Sequence, residues 1–327
     1  MTRTVMQTLV FFLCLSLSLF EASPVAAAEG TVSPGHYSTP PDGSAAAMPE
    51  VVAPPVGSRA LCDSAPAPKT EAPDELENLD ATARLDIQCL KASYPQITGL
   101  VADEEGLWLL VGDKGRVLYS RHGSLKDMTT TGPETADGWV VDVRASMADP
   151  YPLEPNRPDT PLGVSPGRKR SYDLLTALYG STPAQVGKQL APVKLLGQAL
   201  RLSAPAGKAL AAADPALVEA VREDPQLKAF LKMDGGFMWR RIAGESRLSP
   251  HAYGIAVDLS SRIAPYWRWS KLRPHPLQFS YPSAIVSLME DAGFIWGGKW
   301  HEYDIMHFEY RPEIICKARA VRDRAVQ

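Results

Sequence analysis

The sequence predicts an α+β fold: an antiparallel sheet with flanking helices, preceded by a small β meander. Three observations carry this. Short apolar runs separated by turn residues fill positions 97–120, capped helical segments begin at residue 171, and a strand with one vacant face crosses 254–259. The composition suits a globular chain that carries a Pro-rich segment: of 327 residues, 29 are Pro, 24 are Gly and 22% are charged. Net charge is −3, which leaves no broad cationic footprint for nucleic acid.

The N-terminus is expected to lie outside the fold. Arg3 precedes an apolar run over 9–20, which leads into Val25-Ala26-Ala27-Ala28. A positive start, an apolar stretch and small residues at its exit predict a secretory signal over 1–28, cleaved near Ala28. The expected location is therefore periplasmic or secreted. Beyond it no apolar run approaches the ~20 residues of a spanning helix. Residues 29–78 hold nine prolines and little periodicity, the composition of a disordered Pro/Ala-rich linker. Cys62, Cys89 and Cys316 remain after cleavage, and in an oxidising compartment two of them should pair. Cys62–Cys89 is the pairing expected, since it would pin the linker to the folded part, with the other pairings left open.

Two regions follow. Over 79–149, β-type runs at 97–101, 107–112 and 116–120 alternate with the turns Asp103-Glu104-Glu105-Gly106 and Asp113-Lys114-Gly115, a meander read as framework. Over 150–327, Ser171 caps a helix at 172–179 that Gly180 stops. Thr182-Pro183-Ala184-Gln185 is a capping box with Pro in the first turn. Asp214-Pro215 is expected to open another helix, and 282–291, ended by Gly293, is the last. Arg168-Lys169-Arg170 reads as a solvated basic turn.

The chemistry gathers late in the chain, where four of the six histidines lie between His251 and His307. In Ser249-Pro250-His251-Ala252-Tyr253-Gly254-Ile255-Ala256-Val257-Asp258-Leu259, a strand would bury Ile255, Val257 and Leu259 on one face. The other face, Gly254, Ala256 and Asp258, would leave a hollow with a carboxylate on its wall and His251 at its mouth. A packed core would fill that room; a metal ion needs it. Downstream, Trp296-Gly297-Gly298-Lys299-Trp300-His301-Glu302-Tyr303-Asp304-Ile305-Met306-His307-Phe308 offers a further carboxylate and imidazole three residues apart. Two His and one Asp make a three-ligand zinc set with a fourth position open, the arrangement of catalytic sites. A lone buried His bonded to Asp is commoner than a ligand, but two such clusters and a vacant strand face reverse that preference.

These blocks resemble the zinc D-Ala-D-Ala carboxypeptidases and L-alanyl-D-glutamate endopeptidases of VanY type. The family pattern Ser-x-His-x-x-Gly-x-Ala-x-Asp stands at 249–258, and Trp-Gly-Gly followed by Asp-x-x-His-Phe stands at 296–308. Trp239-Arg240-Arg241-Ile242-Ala243-Gly244 is similar to the family's substrate-binding segment, so the resemblance covers about 150–315. It implies the zinc D-Ala-D-Ala peptidase (hedgehog-like) fold over 150–327. It also implies Zn2+ on His251, Asp258 and His307, with Asp304 as general base. Arg240, ahead of Arg241, would hold the scissile carbonyl as its charge develops. Tyr253, Trp300 and Tyr303 are candidates to line the cleft, with aromatic core the commoner role for any one of them. In one branch of the family a Glu directly before Trp-His supplies the base. Here Lys299 stands there, so His301 is read as a cleft or surface residue and His275 as a loop histidine.

The resemblance implies an exported zinc metallopeptidase acting on peptidoglycan stem peptides. D-Ala-D-Ala carboxypeptidase comes first and L-Ala-D-Glu endopeptidase second, with a non-catalytic zinc-containing cell-wall binding module as the different-class alternative. Other hydrolase chemistries lack their motifs: there is no Ser-x-x-Lys, no Gly-x-Ser-x-Gly, and no His at the fifth position of His301-Glu302.

Overall fold

The computed structural model describes residues 79–113, 115–121, 141–156 and 161–325. The expected signal segment, the Pro-rich linker and Cys62 lie outside the described residues.

Helix α1 (Ala81–Ser93) starts at Asp80, whose carboxylate accepts from the Ala83 N–H at 2.8 Å. The sequence reading placed no helix here. Strands β1 (Ile97–Ala102), β2 (Gly106–Val111) and β3 (Gly115–Arg121) form a sequential antiparallel sheet. At its first turn Asp103 Oδ1 accepts from Glu105 N, Gly106 N and Trp108 Nε1. A short helix, α2 (Val143–Ser146), follows, capped by Asp142.

Helix α3 (Tyr172–Tyr179) is capped by Ser171, and Gly180 ends it at a φ of 105°. Helix α4 (Pro183–Gln189) starts as the capping box predicts, with Thr182 accepting from Gln185 N. The return bond differs: the Gln185 side chain accepts from Ser181 N, one residue further back. A hairpin of β4 (Leu190–Leu195) and β5 (Gln198–Ser203) then leads into α5 (Ala204–Glu223).

Helix α5 corrects the start expected at Asp214-Pro215, because it runs straight through Pro215. A proline inside a helix costs ~3 kcal/mol. Leu210 and Leu217 on either side of it are fully buried, and each such side chain contributes ~1.5–3 kcal/mol, so packing wins. Asp214 caps the hairpin rather than a helix: its carboxylate accepts from the Leu196 N–H at 2.6 Å.

A four-stranded sheet follows, antiparallel throughout. Its strands β6 (Met233–Gly235), β7 (Ala256–Leu259), β8 (Phe294–Trp296) and β9 (His307–Tyr310) lie in the order β6-β7-β9-β8. Helices α6 (Leu277–Ser280), α7 (Ser283–Asp291) and α8 (Pro312–Ala325) complete the fold. One core lies between this sheet and α5 and α7, with Val257, Leu259, Leu210, Ile285, Met289 and Phe308 buried together.

A second core joins Ile87, Leu90, Leu109 and Tyr119 to Leu174, Tyr179, Tyr253 and Ile255. It draws on both sides of the boundary read at 149/150, so that boundary does not separate two cores. Ile255 is buried as expected, but here rather than with Val257 and Leu259, because β7 begins one residue later. No helix of the described residues is long and apolar enough to cross a membrane.

Helices α1 and α8 pack together and are joined by a Cys89–Cys316 disulfide. This corrects the expected Cys62–Cys89 pairing. The two partners are 227 residues apart, a separation no local pattern signals. After removal of the N-terminal segment, denatured protein should titrate one thiol, Cys62. A Cys316→Ser variant should titrate two and lose ~2–4 kcal/mol of stability. Three thiols in the wild type would contradict the pairing.

Candidate metal centre

The site forms where two neighbouring strands and a tight turn converge. Asp258 on β7 sits directly opposite His307 on β9. His251 comes from the single turn Pro250–Tyr253, which Ser249 caps. Gly254 ends that turn in the left-handed region, at a φ of 67°. A side chain there would meet Ser203 N at 2.8 Å, and the Gly254 carbonyl accepts a bond from that same N–H.

Gly254 is thus a close-approach glycine and not part of a hollow, which corrects the reading of that strand face. The space beside Asp258 comes instead from Gly235 on β6, its register partner. A Cβ at Gly235 would lie 3.2 Å from Asp258 Oδ2.

The three side chains converge. His251 Nε2 lies 3.2 Å from Asp258 Oδ2 and His307 Nδ1 lies 3.1 Å from Asp258 Oδ1. One donor atom from each falls within 4.8 Å of the others. His251 Nδ1 is 2.8 Å from the Gly236 carbonyl, which can only accept, so the ring proton belongs on Nδ1. In the neutral ring that leaves a lone pair on Nε2, which is buried and has no hydrogen-bond partner despite its closeness to Asp258. A buried imidazole lone pair beside a carboxylate and a second imidazole fits a zinc ion's donor set.

His307 is held from behind. Its Nε2 lies 3.4 Å from Glu309 Oε2, and Glu309 is fully buried. Arg170 gives Glu309 three hydrogen bonds of 2.6 to 3.0 Å. Arg311 stands 3.6 Å from Glu309 and donates to Glu313, which also accepts from the Tyr94 hydroxyl at 2.6 Å. The reading of Arg168-Lys169-Arg170 as a solvated turn is therefore overturned. Arg170 is buried, and its partner lies 139 residues away.

These contacts set the protonation states. Burial opposes charge on His307, but its bonds to Asp258 and Glu309 push its pKa up to about 9. Burial would raise the Asp258 and Glu309 carboxyls. The imidazoles beside Asp258, and Arg170 with His307 beside Glu309, hold both far below the usual range.

Asp304 completes the site. A backbone bond from His307 N to Asp304 O closes a turn that sets the two residues side by side. Its Oδ1 is buried without a hydrogen-bond partner, and burial together with Asp258 pushes its carboxyl up to about 6, against the pull of His307. Gly297 lies beneath it, where a Cβ would come within 2.5 Å of the Asp304 carbonyl oxygen.

His251, Asp258, His307 and Asp304 all line one cavity, whose wall also includes Arg168, Arg240, Tyr266, Trp269 and Trp300. Arg240 is exposed, and Arg241 does not line the cavity. Trp300 is buried, donating to the Pro166 carbonyl at 2.7 Å.

Of the other two cleft candidates, both take the core role rather than the cleft one. Tyr253 packs between Tyr172 and Tyr179. Tyr303 is fully buried and donates to the Leu272 carbonyl. His301 and His275 lie outside the cavity lining, and Lys299 is buried against Glu290. Arg168, Tyr266 and Trp269 were missed. A bridge between Tyr266 and Asp304 brings the aromatic loop to the cavity, and no spacing rule announces it.

An α+β domain with two buried histidines and a half-buried aspartate clustered in a cavity lined by arginine and aromatic side chains has the make-up of a metallopeptidase. Residues 243–310 match the family model described as D-alanyl-D-alanine carboxypeptidase, which bears out the resemblance drawn from the two motif blocks. The match takes in all three candidate ligands and Asp304, and leaves out Arg168, Arg170 and Arg240. No curated protein and no solved structure matches the chain.

Metal ligation needs His307 without the proton it carries below about 9. Titrating zinc into metal-free protein at pH 7 should therefore release a proton. The apparent affinity should rise about tenfold per pH unit between pH 6 and 8. An affinity independent of pH in calorimetry across buffers would contradict this.

Proposed function

We propose that the chain is an exported zinc metallopeptidase of the D-Ala-D-Ala peptidase (hedgehog-like) fold. It hydrolyses an amide bond in peptidoglycan stem peptides, with D-Ala-D-Ala carboxypeptidase as the first reading. One observation carries it: the converging His251–Asp258–His307 trio stands beside an unpartnered Asp304 oxygen, inside the segment that matches the carboxypeptidase family model. Export is supported by the Cys89–Cys316 disulfide, a bond of oxidising compartments.

His251, Asp258 and His307 would hold the zinc. Bound there, it supplies a Lewis acid that activates water near neutral pH and polarises the amide carbonyl. Asp304 takes the proton of the attacking water and delivers it to the leaving amine. A carboxyl pushed up to about 6 suits that exchange better than an ordinary one. Arg240, on the cavity wall, donates to the carbonyl oxygen as negative charge develops. Glu309 keeps the His307 ring oriented through Nε2. L-Ala-D-Glu endopeptidase activity shares the same centre and differs only in which bond the pocket admits. A non-catalytic module would need neither an unpartnered Asp304 nor arginines in the cavity, and both are present.

Digesting purified sacculi and identifying the released peptides by mass separates these readings. Asp304→Asn should keep bound zinc and melting temperature while hydrolysis falls ~10²–10⁴-fold. His251→Ala should lose zinc together with activity. Wild-type cleavage rates in Asp304→Asn would remove Asp304 as base, and zinc-loaded wild type that releases no peptide would favour the binding module.

A further inference from the structure

The loop between β7 and α6 gathers cations and aromatic side chains beside the cavity. Its twelve residues from Arg262 to Arg273 hold four cations, three aromatic side chains and no acid, in a chain whose net charge is −3. Tyr266 and Trp269 belong to the cavity wall, and Trp269 is also 72% exposed, which puts it at the rim. Leu272, three residues on, is 51% exposed.

The backbone around these two apolar side chains is fixed. Arg273 donates to the carbonyls of Trp267, Ser270 and Leu272 at 2.6 to 3.0 Å, closing the turn on itself. Buried Tyr303 anchors it twice, accepting from Trp267 N at its carbonyl and donating from its hydroxyl to the Leu272 carbonyl. The Trp269 ring meets Tyr266 edge-on, with centroids 5.6 Å apart. Every oxygen that Arg273 meets is neutral, so its positive charge is not cancelled. Lys271 is exposed, and among the described residues no carboxylate lies within ion-pair distance of it or of Arg273. Arg268 has Glu245 Oε1 at 3.7 Å.

A fixed turn that keeps an indole and a leucyl side chain in water gains nothing from doing so within its own fold. Uncancelled cations beside them attract a negative surface. The interface of an anionic bilayer complements both features, because Trp settles at headgroup level and Lys and Arg are drawn to the lipid charge. An anionic polysaccharide would meet the cations but leave Leu272 in water. We infer that residues 268–273 dock the protein peripherally on an anionic membrane surface. Trp269 and Leu272 enter the headgroup region, Lys271 meets lipid phosphate, and Arg268 and Arg273 add to the attracting field. Docking itself is independent of the peptidase reading. Its consequence rests on that reading: the cavity rim is brought to the bilayer, so the favoured substrate is a stem peptide carried on a lipid.

The test sediments the full mature chain with vesicles of phosphatidylcholine, or of phosphatidylethanolamine and phosphatidylglycerol in equal parts. Wild type should bind the anionic vesicles alone, and less so as salt approaches ~1 M. One cation near such a surface is worth ~5-fold in affinity. Lys271→Gln should therefore weaken binding ~5-fold and Lys271→Glu ~25-fold, both at unchanged melting temperature. Leu272→Ser should weaken it ~3–10-fold through lost apolar contact. Absence of vesicle binding by wild type, or equal binding by wild type and Lys271→Glu, would overturn the docking surface. Lys271-dependent sedimentation with purified sacculi but not with vesicles would assign the surface to cell-wall polymer and overturn it too.

The consequence is tested with a stem pentapeptide ending in D-Ala-D-Ala, either free in solution or acylated at its N-terminus and held in the anionic vesicles. Zinc-loaded wild type should show a KM ~10-fold or more lower for the vesicle-held peptide, since docking raises its effective concentration. Lys271→Glu should lose that advantage while kcat and KM for the free peptide stay unchanged. Equal KM values in vesicle-bound wild type would overturn the lipid-carried substrate. Vesicle binding without cleavage of either peptide would sink the peptidase reading and leave the docking surface standing.

Discussion

The buried ion pair between Arg170 and Glu309 is the contact on which the rest of the site depends. Glu309 follows His307 by two residues on β9, so both side chains leave the strand on the same face. A carboxylate placed there without a partner would take up a proton or draw in water. Removing one member of such a pair costs ~3–5 kcal/mol. Arg170 satisfies both Glu309 oxygens, and the carboxylate stays charged and fixed, available to hold the His307 N–H. The network continues through Arg311, Glu313 and Tyr94, so the strand, the loop before α3, the start of α8 and the end of α1 are bound into one arrangement.

The cavity in front of this network has the opposite character. Behind His307 every charge has a buried partner. In front, His251 Nε2 and Asp304 Oδ1 are buried and lack hydrogen bonds among the described residues. Unsatisfied buried polar atoms cost ~1–3 kcal/mol each, and these two belong to residues that line one cavity together with Asp258 and His307, where a ligand could complete both. The contrast between a committed rear and an uncommitted front is the physical reason to read the trio as a metal centre rather than as a packed His–Asp cluster.

What the sequence made legible was local. Ser249–Asp258 and Asp304–His307 are short segments, so spacing alone brings their side chains into reach. The caps at Ser171 and Thr182 act within one helical turn. What it hid was either long-range or ambiguous in type. Arg170 and Glu309 are 139 residues apart and Cys89 and Cys316 are 227 apart, and a basic run or a lone cysteine carries no record of a distant partner. Asp214-Pro215 has the chemistry of a helix start, yet the burial of Leu210 and Leu217 carries the helix across it. Tyr253 and Tyr303 suit a core and a cleft equally well by residue type, and only packing sends both to the core while Tyr266 and Trp269 reach the cavity.

In the proposed centre Glu309, fixed by Arg170, orients His307 toward the metal. The zinc affinity of Glu309→Gln, measured by competition with a chelator at constant pH on protein shown to be folded, tests it directly. Glutamine keeps the length of the side chain and removes its charge. Loss of a carboxylate behind a ligating histidine should weaken zinc binding ~10–100-fold. Affinity equal to that of the wild type would contradict that role for Glu309.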